Sequence, residues 1–206
     1  MRLVCFGDEH VAGENKVGEF LSYRLKMPYD NLAKHDTSNQ KIFTSVMSYI
    51  TENINDDMFV LIGWTEANRF DVETDNQYFT YRPNKTDYPV KRVNLMKSSN
   101  EYIFNEKVVH GEWVSCACSL QATLEQLNIN YYMYNTQDYI RYNEDTARSA
   151  RYLDMTRYHN PINLDSSFYN WGKLRDYKDQ GDTLEQSAHK HWATFIHSKI
   201  NAARLL

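Results

Sequence analysis

Short apolar runs that end in glycine alternate with segments of helical periodicity along this chain. The first run, Arg2–Phe6, stops at Gly7, and the strongest run, Met58–Ile62, stops at Gly63. Runs of this length that are bounded by turn residues are typical of buried strands. Weaker runs predict two further strands, at Tyr29–Ala33 and Tyr131–Tyr134.

Apolar residues recur every three or four positions between these runs, which predicts helices that pack against the strands. Ile42, Val46, Ile50 and Ile54 form the apolar face of the second helix, and Ser38 is suited to cap its amino end. The other predicted helices are about Glu14–Lys26, about Val108–Leu127, a short turn at Trp171–Leu174, and Leu184–Leu205. Strands that alternate with helices predict an α/β fold: a three-layer α/β/α sandwich around a mainly parallel sheet of about five strands.

The length of 206 residues suits one domain, which we predict to span residues 1–206. Residues 67–105 carry no clean period and contain Pro83 and Pro89, so they are predicted to form an irregular insertion. No run of about 18 apolar residues occurs, so no membrane-spanning segment is expected. A net charge of −4 argues against nucleic acid as the partner.

Cysteine usage favours a reducing, intracellular location. The three cysteines are Cys5, Cys116 and Cys118, and only the last two are close in sequence. This spacing fits neither a disulfide framework nor the usual ligand set of a zinc site.

Three ionisable residues, Asp8, Glu9 and His10, directly follow the first predicted strand. Ligands of open α/β sheets bind in the crevice beyond the carboxyl ends of the strands. This position therefore makes the three side chains the first candidates for a functional site.

Four blocks stand in order along the chain: Phe6–Val11; Asn31–Ala33 with Thr37–Asn39; Leu61–Thr65 with Arg69; and Gly181–Ala193. Their order and spacing resemble the conserved blocks of the SGNH (GDSL-type) hydrolases, in the small form that phages encode. The resemblance covers almost the whole chain. It implies a flavodoxin-like fold and, for the family, ester hydrolysis by a Ser-His-Asp triad.

The same blocks depart from the family where its chemistry takes place. Glu9 stands at the position of the nucleophilic serine, and Thr183 stands at the position of the histidine base. Asp36 replaces a glycine whose backbone N–H would stabilise the oxyanion, and only Asp182, the orienting carboxylate, is retained. A threonine has no usable pKa for a base near neutral pH, and a carboxylate repels an oxyanion. The resemblance therefore implies that the serine-esterase triad is lost.

Three functions remain open at this point. One is a non-catalytic binding or structural protein in which Lys34 or Arg69 neutralises Glu9. The second is a repurposed hydrolase of glycosides, nucleosides or phosphate esters that uses Glu9 and Asp182, with a divalent cation on Asp8, Glu9 and His10 for phosphate chemistry. The third is a residual esterase in which His10 or His189 replaces the missing base.

We predict the first of these functions, with a protein partner or a small ligand in an acidic crevice. No cofactor is expected apart from the divalent cation of the second alternative. The resemblance to phage proteins implies a soluble protein in the infected host cytoplasm or in the virion. The predicted binding residues are Asp8, Asp36, Asn39, Gly63, Thr65, Arg69 and Thr183.

Overall fold

A parallel four-stranded sheet forms the centre of the computed structural model, which describes residues 1–74, 77–81, 106–141, 144–181 and 183–206. The strands are β1 (Arg2–Phe6), β2 (Tyr29–Asn31), β3 (Met58–Trp64), β4 (Phe70–Thr74), β5 (Gln77–Tyr81), β6 (Asn130–Asn135), β7 (Asp179–Gln180) and β8 (Thr183–Leu184). The sheet has the order β2-β1-β3-β6, and all its strand pairs are parallel. Two antiparallel pairs, β4–β5 and β7–β8, lie outside it.

Helices cover both faces of the sheet. The helices are α1 (Val17–Leu25), α2 (Asn39–Glu52), α3 (Glu106–Gln126), α4 (Glu144–Ala150), α5 (Phe168–Lys173) and α6 (Gln186–Ala202), with a 3-10 turn at Leu164–Ser166. On one face, α2 and α3 pack against one set of strand side chains. On the other face, α1 and α6 pack against the alternate set. This arrangement confirms the predicted three-layer α/β/α fold.

Alternation along each strand separates the two apolar clusters. In β1, Val4 and Phe6 join the cluster under α2 and α3, whereas Leu3 and Cys5 join the cluster under α1 and α6. Successive side chains of a strand point to opposite faces of its sheet, so a sheet buried on both faces needs an uninterrupted apolar run. The continuous apolar sequence of β1 and β3 is therefore the cause of the layered fold.

The sheet has four strands in the described residues, where about five were predicted. The fifth position, beyond β6, is occupied only by an isolated parallel bridge between Met133 and Tyr158. Between β6 and α5, the described residues contain α4 and the 3-10 turn. The last helix begins at Gln186 because Thr183–Leu184 belongs to the small β7–β8 pair.

Ser38 caps α2 as predicted, since its hydroxyl accepts a hydrogen bond from the Lys41 backbone N–H at 3.1 Å. Of the predicted insertion, residues 70–74 and 77–81 form the β4–β5 hairpin, whereas residues 82–105 lie outside the described part of the chain. Within that part, no helix combines the length and the apolar character needed to cross a bilayer.

Candidate functional site

Three loops meet at the edge of the sheet where β1, β3 and β6 end. Asp8 and Glu9 follow β1, Thr65 and Glu66 follow β3, and Thr136 follows β6. Since neighbouring parallel strands all end at this edge, their loops bring polar side chains together there. The site is therefore built from the positions at which each apolar run stops.

Glu9 is held by Arg69 in a buried, two-pronged ion pair. Arg69 Nη2 donates to Glu9 Oε1 at 2.6 Å, and Arg69 Nη1 donates to Glu9 Oε2 at 2.9 Å. Gln137 Nε2 donates a further hydrogen bond to Glu9 Oε1 at 2.7 Å. Both charged side chains are 1% exposed. Glu66, after β3, lies 3.5 Å from Arg69 Nε.

Asp8 has an environment that favours its protonated form. Thr136 Oγ1 lies 2.6 Å from Asp8 Oδ2 and 2.9 Å from the backbone oxygen of Trp64. The Trp64 oxygen also accepts from the Thr136 backbone N–H at 2.7 Å, which leaves the hydroxyl hydrogen of Thr136 for Asp8 Oδ2. Burial and the neighbouring Glu9 raise the pKa of Asp8 to about 6, although Arg69 opposes the shift.

This raised pKa predicts that stability falls as the pH rises from about 4 to 6. The native state binds the proton of Asp8 more tightly than the unfolded chain does. The protonated Asp8 therefore makes its full contribution to the free energy of unfolding below the pKa that Asp8 has in the unfolded chain. This contribution is lost as the pH rises past the pKa of Asp8 in the folded protein. We expect Asp8→Asn to remove this contribution, because an asparagine side chain does not titrate in this pH range, while its amide oxygen can still accept from Thr136. Urea unfolding of both proteins across this pH range checks the prediction. A wild-type curve parallel to that of Asp8→Asn would contradict it.

Thr183 lies between two buried imidazoles. Its hydroxyl is 3.1 Å from His10 Nδ1 and 3.0 Å from His189 Nε2, and Lys16 Nζ is 3.5 Å from the same His189 nitrogen. Burial, and then Lys16 and His10, lower the pKa of His189 to about 2, so this imidazole is neutral. The Thr183 hydroxyl therefore links the two imidazoles in one hydrogen-bonded chain.

The other predicted binding residues of the second and third blocks hold the loops in place. Asn39 Oδ1 accepts from the Thr65 backbone N–H at 2.9 Å, and Asn39 Nδ2 donates to the Thr65 backbone oxygen at 3.2 Å. Gly63 is required by packing, since a Cβ there would lie 2.5 Å from Val11 Cγ2. These contacts position the loop that carries Arg69.

The crevice is less acidic than the sequence predicted. Arg69 neutralises Glu9, and Lys34, the other predicted cation, is exposed. Asp36 is exposed and has a φ of 51°, a left-handed conformation that suits the glycine of the family. His10, a candidate base of the residual esterase, contacts Thr183. Asp182 lies outside the described residues.

A divalent cation fits poorly on the predicted ligands. Oxygen or nitrogen atoms of Asp8, Glu9 and His10 all lie within 4.8 Å of one another. However, both Glu9 oxygens accept from Arg69, and Asp8 Oδ1 accepts from the His10 backbone N–H at 3.0 Å. A metal ion would have to displace the guanidinium of Arg69. The carboxylates therefore serve the ion pair better than a metal.

A cavity of about 710 Å³ lies beside Arg69, on the side of α2 and α3. This volume is in the range of small-molecule sites. Gly111 in α3 forms part of the wall, and an added Cβ there would meet no atom within 4 Å. The other lining residues include Asn39, Gln40, Ala67, Asp71, Val109, Trp113 and Cys116.

Lys16, Thr136 and Gln137 were missed by the sequence analysis. The signal for Thr136 and Gln137 was available, because both residues directly follow the predicted strand at Tyr131–Tyr134, as Asp8 and Glu9 follow β1. Lys16 offered no such signal, since it precedes α1 and reaches the site only through its long side chain.

Comparison with solved structures identifies the fold. The crystal structure of TesA matches with a TM-score of 0.56 at 10% identity, over 98% of this chain and 99% of that one. The psychrotrophic esterase EstA from Pseudoalteromonas sp. matches with a TM-score of 0.52 at 11% identity, over 98% and 97%. A GDSL-like lipase from Bacteroides thetaiotaomicron matches with a TM-score of 0.51 at 12% identity, over 98% and 88%.

The chain has the fold of the SGNH hydrolases. No family model matches the sequence, and no curated protein matches it either. This chain and the solved structures named above are alike in structure. Their low sequence identity establishes a shared fold but not a shared activity.

Proposed function

We propose that this SGNH-fold protein is a non-catalytic binding or structural protein. The observation that carries the proposal is the buried ion pair of Glu9 with Arg69, at the position where the resemblance expects a nucleophilic serine. A nucleophile must reach its substrate, and both oxygens of Glu9 are already hydrogen-bonded. The phage origin and a location in the host cytoplasm or the virion remain predictions of the sequence resemblance.

The alternative hydrolase gains no support from the site geometry. A general acid or base needs hydrogen-bond access to the substrate, whereas Glu9 is 1% exposed. The threonine at the position of the family's base contacts a neutral imidazole of low basicity, His189. A residual esterase would therefore lack an activated nucleophile, and His189 would not serve it as a base.

Hydrolysis assays with wild type and Glu9→Gln test the loss of catalysis. We expect neither protein to hydrolyse p-nitrophenyl esters, glycosides or phosphates above the buffer rate, with or without Mn²⁺. Circular dichroism confirms that Glu9→Gln is folded. Turnover by the wild type that Glu9→Gln abolishes would overturn the proposal and favour the repurposed hydrolase.

The binding role is tested at the cavity beside Arg69. Gly111→Phe would place a ring in the cavity without touching Glu9. In an NMR screen of small-molecule fragments, we expect compounds that bind the wild type and lose binding to Gly111→Phe. Ala122→Phe is the matched control, because Ala122 is exposed on the same helix as Gly111 and does not line this cavity. Equal binding by all three proteins would contradict a ligand site here.

A further inference from the structure

The cavity beside Arg69 has an apolar wall. Val109, Trp113 and Cys116 of α3 line it, together with Ala67 of the loop after β3. Trp113 is buried, so its ring is part of the packed wall. A volume of about 710 Å³ holds an aromatic or branched organic molecule. The cavity therefore suits a ligand with an apolar body, and the charges around the cavity decide which polar group that ligand carries.

Arg69, which also lines the cavity, shares its charge with more than one carboxylate. Both Nη atoms of Arg69 donate to Glu9, and Nε lies 3.5 Å from a carboxylate oxygen of Glu66. Asp8 Oδ2 is 3.9 Å from Arg69 Nη1. The carboxylates of Glu9 and Glu66 outweigh the positive charge of the guanidinium even while Asp8 is protonated. Arg69 therefore does not make this cavity attractive to an anion.

Two further carboxylates, those of Asp71 and Glu112, line the cavity. Asp71 accepts hydrogen bonds from Ser38 and Thr80, and Lys41 Nζ lies 3.4 Å from Asp71 Oδ1. Glu112 is exposed on α3, and no cation of the described residues lies within ion-pair distance of its carboxylate. The described wall thus has a surplus of negative charge, because Lys41 compensates Asp71 while Glu112 adds an unbalanced charge.

We propose that the cavity binds an organic cation, in which an amine or quaternary ammonium group is attached to an apolar or aromatic body. The surplus of carboxylates attracts a positive charge, and this attraction is stronger in a cavity than in open water. The ring of Trp113 adds to the preference, since indole rings attract cations. The apolar body packs against Trp113 and Val109. This inference rests on the proposed binding function and names the class of ligand that the same cavity takes.

Three ligands with the same ring and different charges test the proposal: benzylamine, which is a cation at neutral pH, uncharged benzyl alcohol, and anionic benzoate. Their dissociation constants are measured by NMR titration of the folded wild type at low salt, because salt screens the charges. We expect benzylamine to bind several-fold more tightly than benzyl alcohol, and benzoate to bind most weakly. Gly111→Phe, which places a ring in the cavity, should lose the binding of benzylamine.

Glu112→Gln measures the contribution of the unbalanced carboxylate, since it removes the charge and keeps nearly the same side-chain shape. Benzylamine should bind this variant about two- to fivefold more weakly, as for a partly exposed ion pair, whereas benzyl alcohol should bind it as it binds the wild type. Glu14→Gln is the matched control, because Glu14 is also exposed and does not line this cavity. It changes the net charge equally and should leave both affinities unchanged.

The outcomes separate this inference from the proposed function. If benzyl alcohol or benzoate binds the cavity as tightly as benzylamine, the preference for a cation is overturned and the cavity is still a ligand site. Equal effects of Glu112→Gln and Glu14→Gln would also overturn the inference, because the preference would then follow from net charge alone. If none of the three ligands binds, the inference falls, whereas the proposed function is judged by its own hydrolysis assays and fragment screen.

Discussion

Arg69→Met is expected to lower the free energy of unfolding by about 3–5 kcal/mol, because it removes the cation that compensates the buried carboxylate of Glu9. Glu9 receives two hydrogen bonds from the guanidinium and is 1% exposed. The uncompensated carboxylate must then take up a proton or admit water. Urea unfolding at neutral pH measures the loss.

Arg157→Met is the matched control for this variant. Arg157 pairs with the carboxylate of Asp154 at 3.6 Å, but the two side chains are 26% and 35% exposed. Partly exposed pairs of this kind contribute about 0–1 kcal/mol. Equal losses in Arg69→Met and Arg157→Met would show that the burial of the Glu9 pair has no special effect.

A double variant, Glu9→Met with Arg69→Met, distinguishes loss of the ion pair from loss of volume. Replacing both partners of a buried pair by apolar side chains is often neutral. We therefore expect the double variant to be more stable than Arg69→Met alone. If it is less stable, the defect in Arg69→Met comes from lost packing of the arginine stem rather than from an unpaired charge.

The layered fold could be predicted because its main strands are continuous apolar runs. β1 and β3 are buried on both faces, so their sequences carry no polar interruption, and glycine marks the end of β1. The isolated bridge at Tyr158 was not predictable in this way. Its single pairing leaves no run of strand-forming residues that a pattern could detect.

The sequence predicted where the residues of the candidate site lie, but not which of them pair with one another. Sequence order places Asp8 and Glu9 at the end of β1, but it does not tell whether Lys34 or Arg69 reaches Glu9. That choice depends on Asn39, whose side chain hydrogen-bonds the backbone of the loop after β3. The contact of His10 with Thr183 joins residues 173 positions apart, so no local pattern could indicate it.

In the turn between β1 and Asp8, the backbone of Gly7 packs closely against the backbone of Gly63 in β3. A Cβ on Gly7 would lie 2.6 Å from Val11 Cγ2 and 2.8 Å from the backbone oxygen of Gly63. The side chain of Val11 can move, but the Gly63 oxygen belongs to β3, in the middle of the sheet. Relief of the second contact therefore requires a shift of one strand against its neighbour.

Gly7→Ala is accordingly expected to destabilise the protein by about 3 kcal/mol or more, through overpacking and backbone strain. Gly111→Ala is the matched control. Its added Cβ meets no atom within 4 Å, and alanine in a helix interior is favoured over glycine by about 0.5–1 kcal/mol.

Urea unfolding of Gly7→Ala, Gly111→Ala and the double variant Gly7→Ala with Val11→Ala separates the two contacts of Gly7. Shortening Val11 removes both of its Cγ atoms and leaves the Gly63 oxygen in place, so we expect only partial recovery in the double variant. Full recovery would assign the whole effect to Val11. A Gly7→Ala protein as stable as the wild type would contradict the close approach of β1 and β3 on which the position of Glu9 depends.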